Sequence, residues 1–243
     1  MVHRPFLAIL FPDRGVPREV AAGRYGVALL AIIVCAGLAA AAISMRLDLR
    51  HEVLAENAAL KPKKELVADP KKVSEVKTDR EIDEQVEQRT AVKRVMLGLD
   101  AAIWQPLRVL FLALALFLLG RYVGGKPTMA RALSAASLVA LPGAIRSLVT
   151  AVAAWGQTSV GTADIDQLVA AGRLPIPESN PALAQLLGGV DVFTLWSAVI
   201  LGFALAAASE LKPTRAALAS AVGFFLYVLV TGAIMGAPQG ASG

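Results

Sequence analysis

The sequence predicts an all-α, polytopic membrane helical bundle with five transmembrane helices. Hydrophobic residues make up 56% of its 243 positions and charged residues only 18%, a balance that is rare in soluble domains of this length. More than half of the charges fall between residues 46 and 100, and they are sparse elsewhere. Several of the uncharged stretches reach the roughly 20 helical residues that a hydrocarbon core requires. These observations together indicate membrane-spanning helices joined by one large polar segment.

The chain opens with a basic segment, residues 1–24, that precedes the first predicted span at residues 25–44. The apolar run 5–12 is too short to cross a membrane, so we expect a cytoplasmic segment that lies partly in the interface. The first span is longer than the apolar core of a signal peptide, which favours an uncleaved helix. It contains Cys35, the single cysteine, so an intramolecular disulfide is excluded.

Residues 45–103 predict a charged extracytoplasmic loop. Pro62 and Pro70 disfavour one continuous helix in its first half, whereas residues 78–99 have the composition of a helix. Apolar residues recur at helical spacing towards the membrane, namely Val92, Val95, Met96, Leu99 and Ile103. The segment is either a solvated face or a partner-binding face, since a purely connecting loop could be far shorter.

The remaining four spans follow from apolar runs with polar residues between them. They are predicted at residues 104–122, 133–155, 187–208 and 216–237, with a second extracytoplasmic loop at 156–186. The N-terminal segment and the short loops near Arg121 and Lys212 are basic, whereas the loop 156–186 has little positive charge. Because positive charge marks cytoplasmic loops, this pattern places the N-terminus inside and the C-terminus outside.

Three stretches resemble the Yip1 family of small polytopic membrane proteins, in its bacterial form. They are Leu-Gly-Gly-Val-Asp-Val-Phe-Thr-Leu-Trp at 187–196, Leu-Pro-Gly at 141–143 and Leu-Phe-Pro-Asp-Arg at 10–14. The resemblance implies a non-enzymatic accessory protein of the bacterial cytoplasmic (inner) membrane. Its expected partners are the lipid bilayer and other membrane proteins, such as an ABC-type export system. A small transporter or channel subunit is the alternative, although it would need more polar residues lining the spans.

No catalytic, cofactor-binding or metal site is predicted. His3 and His51 are far apart and have no further ligands at suitable spacing. The segment 120–127 fits Gly-x4-Gly-Lys, but Pro127 stands where a P-loop needs Ser or Thr, and a membrane helix precedes it instead of a strand. A basic stripe interleaved with aromatic residues is also missing, so we expect no nucleic-acid partner.

The candidate site consists of three ionisable residues within the apolar spans, where charge is costly: Arg108, Arg146 and Asp191. The predicted topology places all three in the outer half of the membrane. One hypothesis pairs Asp191 with Arg146 or Arg108 within the bundle. Pro142 would also leave a backbone carbonyl as a partner for Arg146. The other hypothesis has both arginines extending to the interface while Asp191 only caps a helix.

Close helix packing is predicted at two places. Gly232 and Gly236 form a Gly-x3-Gly motif in the last span, and Pro142 lies within the third. Such a glycine motif allows two helix backbones to approach closely, within one chain or between two copies. The motif therefore leaves a homo-oligomer open.

Overall fold

The computed structural model describes residues 8–65, 79–161, 164, 165, 167 and 190–235. The regular elements in this part of the chain are helices, so the predicted all-α class is confirmed. In chain order they are α1 (Pro12–Ala21), α2 (Gly26–Arg46), α3 (Arg50–Glu65), α4 (Asp79–Leu99), a π-helical turn (Asp100–Trp104), α5 (Gln105–Tyr122), α6 (Met129–Trp155), α7 (Val192–Ser209) and α8 (Pro213–Met235).

Four helical stretches among the described residues are long and apolar enough to cross a membrane. They are α2, the continuous stretch from α4 to α5, α6 and α7. The last helix, α8, has 23 residues and lies where the fifth span was predicted. The structure is therefore consistent with five spans. We call the end of the bundle with the turns 123–128 and 210–212 the turn end, and the opposite end, next to α3 and α4, the hairpin end.

The central element is α6, which packs against α1, α2, α5 and α7. Most of its buried residues are small, so neighbouring backbones can approach closely where lipid provides no hydrophobic drive for association. The small buried residues are Ala132, Ser134, Ala135, Ala136, Ser137, Ala144, Thr150, Ala151 and Ala154. On the facing side of α2 the buried residues recur every three or four positions: Ala28, Ile32, Cys35, Ala36, Ala39, Ala42 and Ile43.

The stretch from α4 to α5 is one uninterrupted helix of 44 residues. The sequence predicted a loop helix at 78–99 and a separate span at 104–122, but the π-helical turn joins them. In this turn the Gln105 N–H donates to the carbonyl of Asp100, five residues earlier. Pro106 explains the wider turn, because its ring lacks an N–H and clashes with the carbonyl four residues before it. The helix therefore becomes wider at this turn and continues without interruption.

The charged segment forms a helical hairpin from α3 and α4. Ion pairs join Arg50 to Asp83 at 3.2 Å and Arg89 to Glu56 at 2.8 Å, and they flank a buried contact that includes Val53. Whether one continuous helix fills the first half of the segment stays a prediction, since α3 ends at Glu65 and Pro70 falls outside the described residues. Pro62 lies in the last turn of α3, where its missing N–H removes only one hydrogen bond.

The N-terminal segment packs against the bundle. Val16 and Val20 of α1 are fully buried, one helical turn apart, and α1 contacts α6 and α7. The Trp196 indole N–H donates to the carbonyl of Ile9 at 3.0 Å. Trp196 lies 13 residues from the end of α7 at Ser209, which is about 20 Å along the helix axis. The segment therefore reaches well into the bundle, a contact that its amphipathic sequence did not specify.

The two turns at the turn end interlock around Ser209. A Cβ atom added at Gly125 would lie 2.7 Å from the Cβ of Ser209, and one added at Gly120 would also overlap the Ser209 side chain. The Lys126 N–H donates to the carbonyl of Ser209 at 3.0 Å. The Gly-x4-Gly-Lys pattern therefore serves helix packing, because its glycines leave the space that Ser209 occupies.

We predict that Gly125→Ala destabilises the protein by about 1–3 kcal/mol, because the added methyl group overlaps Ser209 in a contact with little room to relax. The measurement is thermal unfolding of the purified protein in mild detergent. Gly37→Ala is the matched control, since a Cβ there meets nothing within 4 Å and alanine favours the helix. Equal melting temperatures for the two variants would contradict the interlocked turns.

Candidate functional site

An ion pair inside the bundle joins α6 to the start of α7. Arg146 Nη1 lies 2.8 Å from Asp191 Oδ2. The Asp191 side chain is 1% exposed and the Arg146 side chain 29% exposed, so the carboxylate is enclosed while the guanidinium reaches the edge of the site. Removing a carboxylate from water is costly unless charge and hydrogen bonds compensate for it. Arg146 supplies the compensating charge.

Asp191 is also the N-cap of α7. Its backbone is extended, and Oδ1 accepts hydrogen bonds of 2.7 Å from both the backbone N–H and the hydroxyl of Thr194. The positive end of the helix dipole further favours a negative charge at this position. Oδ2 of Asp191 therefore pairs with Arg146, while Oδ1 caps α7. Pairing and capping, which the sequence presented as alternatives for Asp191, occur together.

Arg108 does not join this pair. Its Nη2 lies 3.2 Å from Asp100 Oδ1, across the π-helical turn, and its side chain is 62% exposed. Residues eight apart are outside the usual helical pairing distances of three and four, so sequence spacing did not point to this contact. The structure thus brings two of the three candidate residues together and gives the third a partner that sequence reasoning missed.

Two cavities, each of about 420 Å³, flank α6 and have Gly143 and Arg146 in both of their linings. The first, which we call the α2 crevice, lies between α2, α6 and the helix that runs from α4 to α5. The second, which we call the α8 cavity, lies between α5, α6, α7 and α8 and has Asp191 in its wall. Arg146 therefore lines both cavities while it contacts Asp191.

The residues predicted for helix packing fall in different surroundings. Pro142 is fully buried within α6, one helical turn before Arg146, and the helix continues through it. Gly232 lies in α8, whereas Gly236 falls outside the described residues. The close contact predicted for the Gly-x3-Gly motif remains a prediction.

A second ion pair, between Arg131 and Glu210, closes the turn end. Its hydrogen bond and the charge of Arg131 lower the pKa of Glu210 below its usual value. The pair therefore stabilises the fold above the ordinary pKa of glutamate, and this contribution is lost as pH falls through the lowered pKa. Sequence reasoning missed this pair because its members are 79 residues apart. The sequence signal that could have indicated an ion pair is Glu210, an acidic residue in a turn that is otherwise basic.

Within the described ranges, no group of three or more His, Cys, Asp or Glu side chains is placed to hold a metal ion. Cys35 is a buried thiol on the α2 face that packs against α6. The polar groups of the site are thus paired charges, helix caps and hydroxyl groups. Such groups can organise a membrane bundle or bind a charged group.

The all-helical fold, its long apolar helices and the Arg146–Asp191 pair enclosed between them define a multi-pass integral membrane protein. The family model described as the Yip1 domain matches residues 7–235, nearly the whole chain. The chain therefore belongs to the Yip1 family, as the resemblance of its motifs predicted. No curated protein and no solved structure matches it at a significant level.

We predict that Asp191→Asn destabilises the protein by roughly 3 kcal/mol, because asparagine still caps α7 but leaves Arg146 without its countercharge. The double variant Asp191→Asn/Arg146→Gln should recover part of this loss. Thermal unfolding in detergent measures both effects. Arg108→Gln is the control and should cost at most about 1 kcal/mol, because its ion pair with Asp100 is exposed. Additive effects of Asp191→Asn and Arg146→Gln would exclude a stabilising pair.

Proposed function

We propose that the protein is a non-enzymatic accessory protein that assembles with other membrane proteins, and that the hairpin of α3 and α4 carries the contact surface. An ABC-type export system is the partner class that the family resemblance implies. The observation that supports a contact surface is an exposed apolar stripe on α4, formed by Val92, Val95, Met96 and Leu99. Their exposures are 58%, 60%, 60% and 43%.

The stripe extends beyond the membrane interface. A span of roughly 20 residues counted back from Tyr122 ends near Ile103. Val92 lies 11 residues further along the same helix, about 16 Å beyond that boundary. The polar layer on each side of a bilayer is only about 5–8 Å thick. Lipid contact therefore accounts for Leu99 but not for Val92 and Val95, which a protein partner would cover.

One face of α4 is occupied by the rest of the protein. Ile82 and Thr90 are buried where α3 packs against α4. Arg94 donates from Nε to the carbonyl of Ser44 at 3.0 Å, and Leu97 packs near the end of α2. The stripe lies on the part of α4 that remains exposed after the hairpin has folded, and it is the apolar portion of that surface. Contacts with α2 and α3 hold it in one orientation, which lowers the entropy cost of binding.

The orientation proposed for this assembly places the N-terminus and the turn end in the cytoplasm of a bacterial cell, with the hairpin outside the inner membrane. Basic residues support it, because Lys126, Arg131, Lys212 and Arg215 lie at the turn end. The C-terminus would then be extracytoplasmic.

A cysteine-labelling experiment tests this orientation. In a Cys35→Ser background, Gln157→Cys at the hairpin end should react with a membrane-impermeant maleimide in intact cells. Ala130→Cys, at an exposed position next to the turn 123–128, should react only after the membrane is opened. The positive-inside rule gives the expected pattern. The reverse pattern would place the hairpin and its stripe in the cytoplasm.

The second candidate function is a small transporter or channel subunit. The two cavities that share Gly143 and Arg146 favour it, because an intramembrane charged pair beside cavities is a feature of transport pathways. A protein that remains without partners in the experiment below would favour this function.

The stripe makes the accessory role testable by affinity purification. We expect the intact protein, purified in mild detergent from its native membranes, to retain a defined membrane-protein partner identified by mass spectrometry. The triple variant Val92→Ser/Val95→Ser/Met96→Ser should lose that partner while it keeps its melting temperature, because these side chains are exposed.

The control is Glu87→Gln, which changes an exposed position of α4 on another face of the helix and should keep the partner. Equal partner recovery from the stripe variant and the control would show that the stripe is not the contact surface. Recovery of no partner by the intact protein would contradict the accessory role itself.

A further inference from the structure

The N-terminal helix α1 carries exposed charges although it packs along the apolar helix α7. Its first turn contains Asp13 and Arg14, which form an ion pair at 3.5 Å and are 59% and 84% exposed, respectively. Neither side chain makes another ion pair within the described part of the chain. Both belong to the stretch Leu-Phe-Pro-Asp-Arg at 10–14, whose charged residues neither the Arg146–Asp191 pair nor the stripe of α4 involves.

Contacts at both ends of α1 define the depth of Asp13. The carbonyl of Ile9 accepts from the Trp196 indole, about 20 Å from the turn end. At the other end of α1, the Ser134 hydroxyl near the start of α6 donates to the carbonyl of Glu19 at 3.2 Å. Asp13 lies four residues, about 6 Å, after Ile9, so its carboxylate is roughly 10–14 Å inside the turn end. A lipid-facing carboxylate is costly at this depth, and the short aspartate side chain cannot extend to the interface.

Asp13 borders a groove of about 840 Å³, which we call the α7 groove. The helices α1 and α8 form its sides, because each packs on α7 but hardly on the other. The floor includes a row of small residues on one face of α7, namely Ala198, Gly202 and Ala206. A Cβ atom added at Gly202 would meet nothing within 4 Å. Such an open, small-residue floor lets a further helix approach closely in a membrane.

The α8 side of the groove contains a buried hydroxyl group without a hydrogen-bond partner. Ser220 is 5% exposed and lines the groove, and its Oγ has no partner among the described residues. The hydroxyls of Ser137 and Ser147, in contrast, donate to the carbonyl four residues earlier in their own helix. Ser220 lies seven residues after Pro213, about 10 Å from the turn end, which is close to the depth of Asp13. Lipid chains would satisfy neither polar group.

The charges of α1 are complementary to a second copy of the same helix. Asp13 and Glu19 balance Arg14 and Arg18, so α1 has no net charge. For two copies in one membrane, a two-fold axis along the membrane normal brings equal depths face to face. Asp13 of each copy can therefore meet Arg14 of the other without a change of depth. A partner helix with charges of one sign would instead repel one member of the pair.

We propose that a second copy of this chain packs into the α7 groove and forms a two-fold symmetric dimer within the membrane. The edge of α1 in each copy lies beside Gly202 of the other, and Asp13 pairs with Arg14 of the second copy. The Ser220 hydroxyl of each copy lies at a depth where it can donate to the Asp13 carboxylate of the other. This surface is formed by α1, α7 and α8, whereas the stripe belongs to α4. The stripe variant should therefore still dimerise, so failure of either contact is a separate result.

Charge reversal tests the pairing across the dimer. The intact protein, purified in mild detergent, should have the mass of a dimer by size-exclusion chromatography with light scattering. Asp13→Arg and Arg14→Asp each place like charges opposite one another and should raise the dissociation constant about tenfold or more. An equimolar mixture of the two variants should form a heterodimer, because positions 13 and 14 are then both positive in one copy and both negative in the other. Arg215→Asp, at an exposed position outside the groove, is the control and should remain a dimer.

Gly202→Leu tests the groove without changing charge. Its side chain should fill the floor and prevent dimerisation, while the variant keeps its melting temperature because the position is open and leucine favours a helix. Gly37→Leu, at an equally open position of α2, is the matched control and should remain a dimer.

Four outcomes would overturn the dimer. They are a monomeric intact protein, a Gly202→Leu variant that still dimerises, and a mixture of the two charge variants that stays monomeric. The fourth is a single copy that co-purifies with a different membrane protein and loses it on Gly202→Leu, which would assign the groove to that partner.

Discussion

The Arg146–Asp191 ion pair fixes the start of α7 against the central helix α6. Enclosed charges need partners, because neither lipid nor the protein interior solvates them well. Asp191 meets this requirement with three contacts, to Arg146 and to the two donor groups of Thr194. The position at which α7 begins and its contact with α6 are therefore set by the same carboxylate. Both cavities are lined by Gly143 and Arg146, beside this pair.

The two ends of the bundle are held by different physical means. At the turn end, Gly120 and Gly125 allow the two short turns to interlock around Ser209, and Arg131 pairs with Glu210. At the hairpin end, the chain extends as a 44-residue helix whose outer half packs against α3. A tight, short-loop end restrains the helices, while a long, exposed end offers surface for recognition. The partner contact that we propose accordingly lies on the hairpin.

Membership of the Yip1 family and the all-helical membrane fold could both be predicted from the sequence. The candidate site was only partly predictable. Sequence reasoning selected Arg108, Arg146 and Asp191 because charge is rare in apolar spans, but it could not choose between two partners for Asp191. It missed Asp100 as the partner of Arg108, since the pair crosses a π-helical turn that no periodicity reveals. It also treated Gly120 and Gly125 only as a decoy P-loop, although they make room for Ser209.

The sequence by itself determined the class of protein and the approximate positions of its spans. Length and apolarity of a helix are local properties, and the bilayer sets a minimum for both. Only the tertiary structure decided which charges meet, how α1 enters the bundle and where the cavities lie. These features join residues far apart in the chain, such as Trp196 with Ile9 and Arg146 with Asp191. They depend on the relative rotation of packed helices, which small-residue faces permit but do not specify.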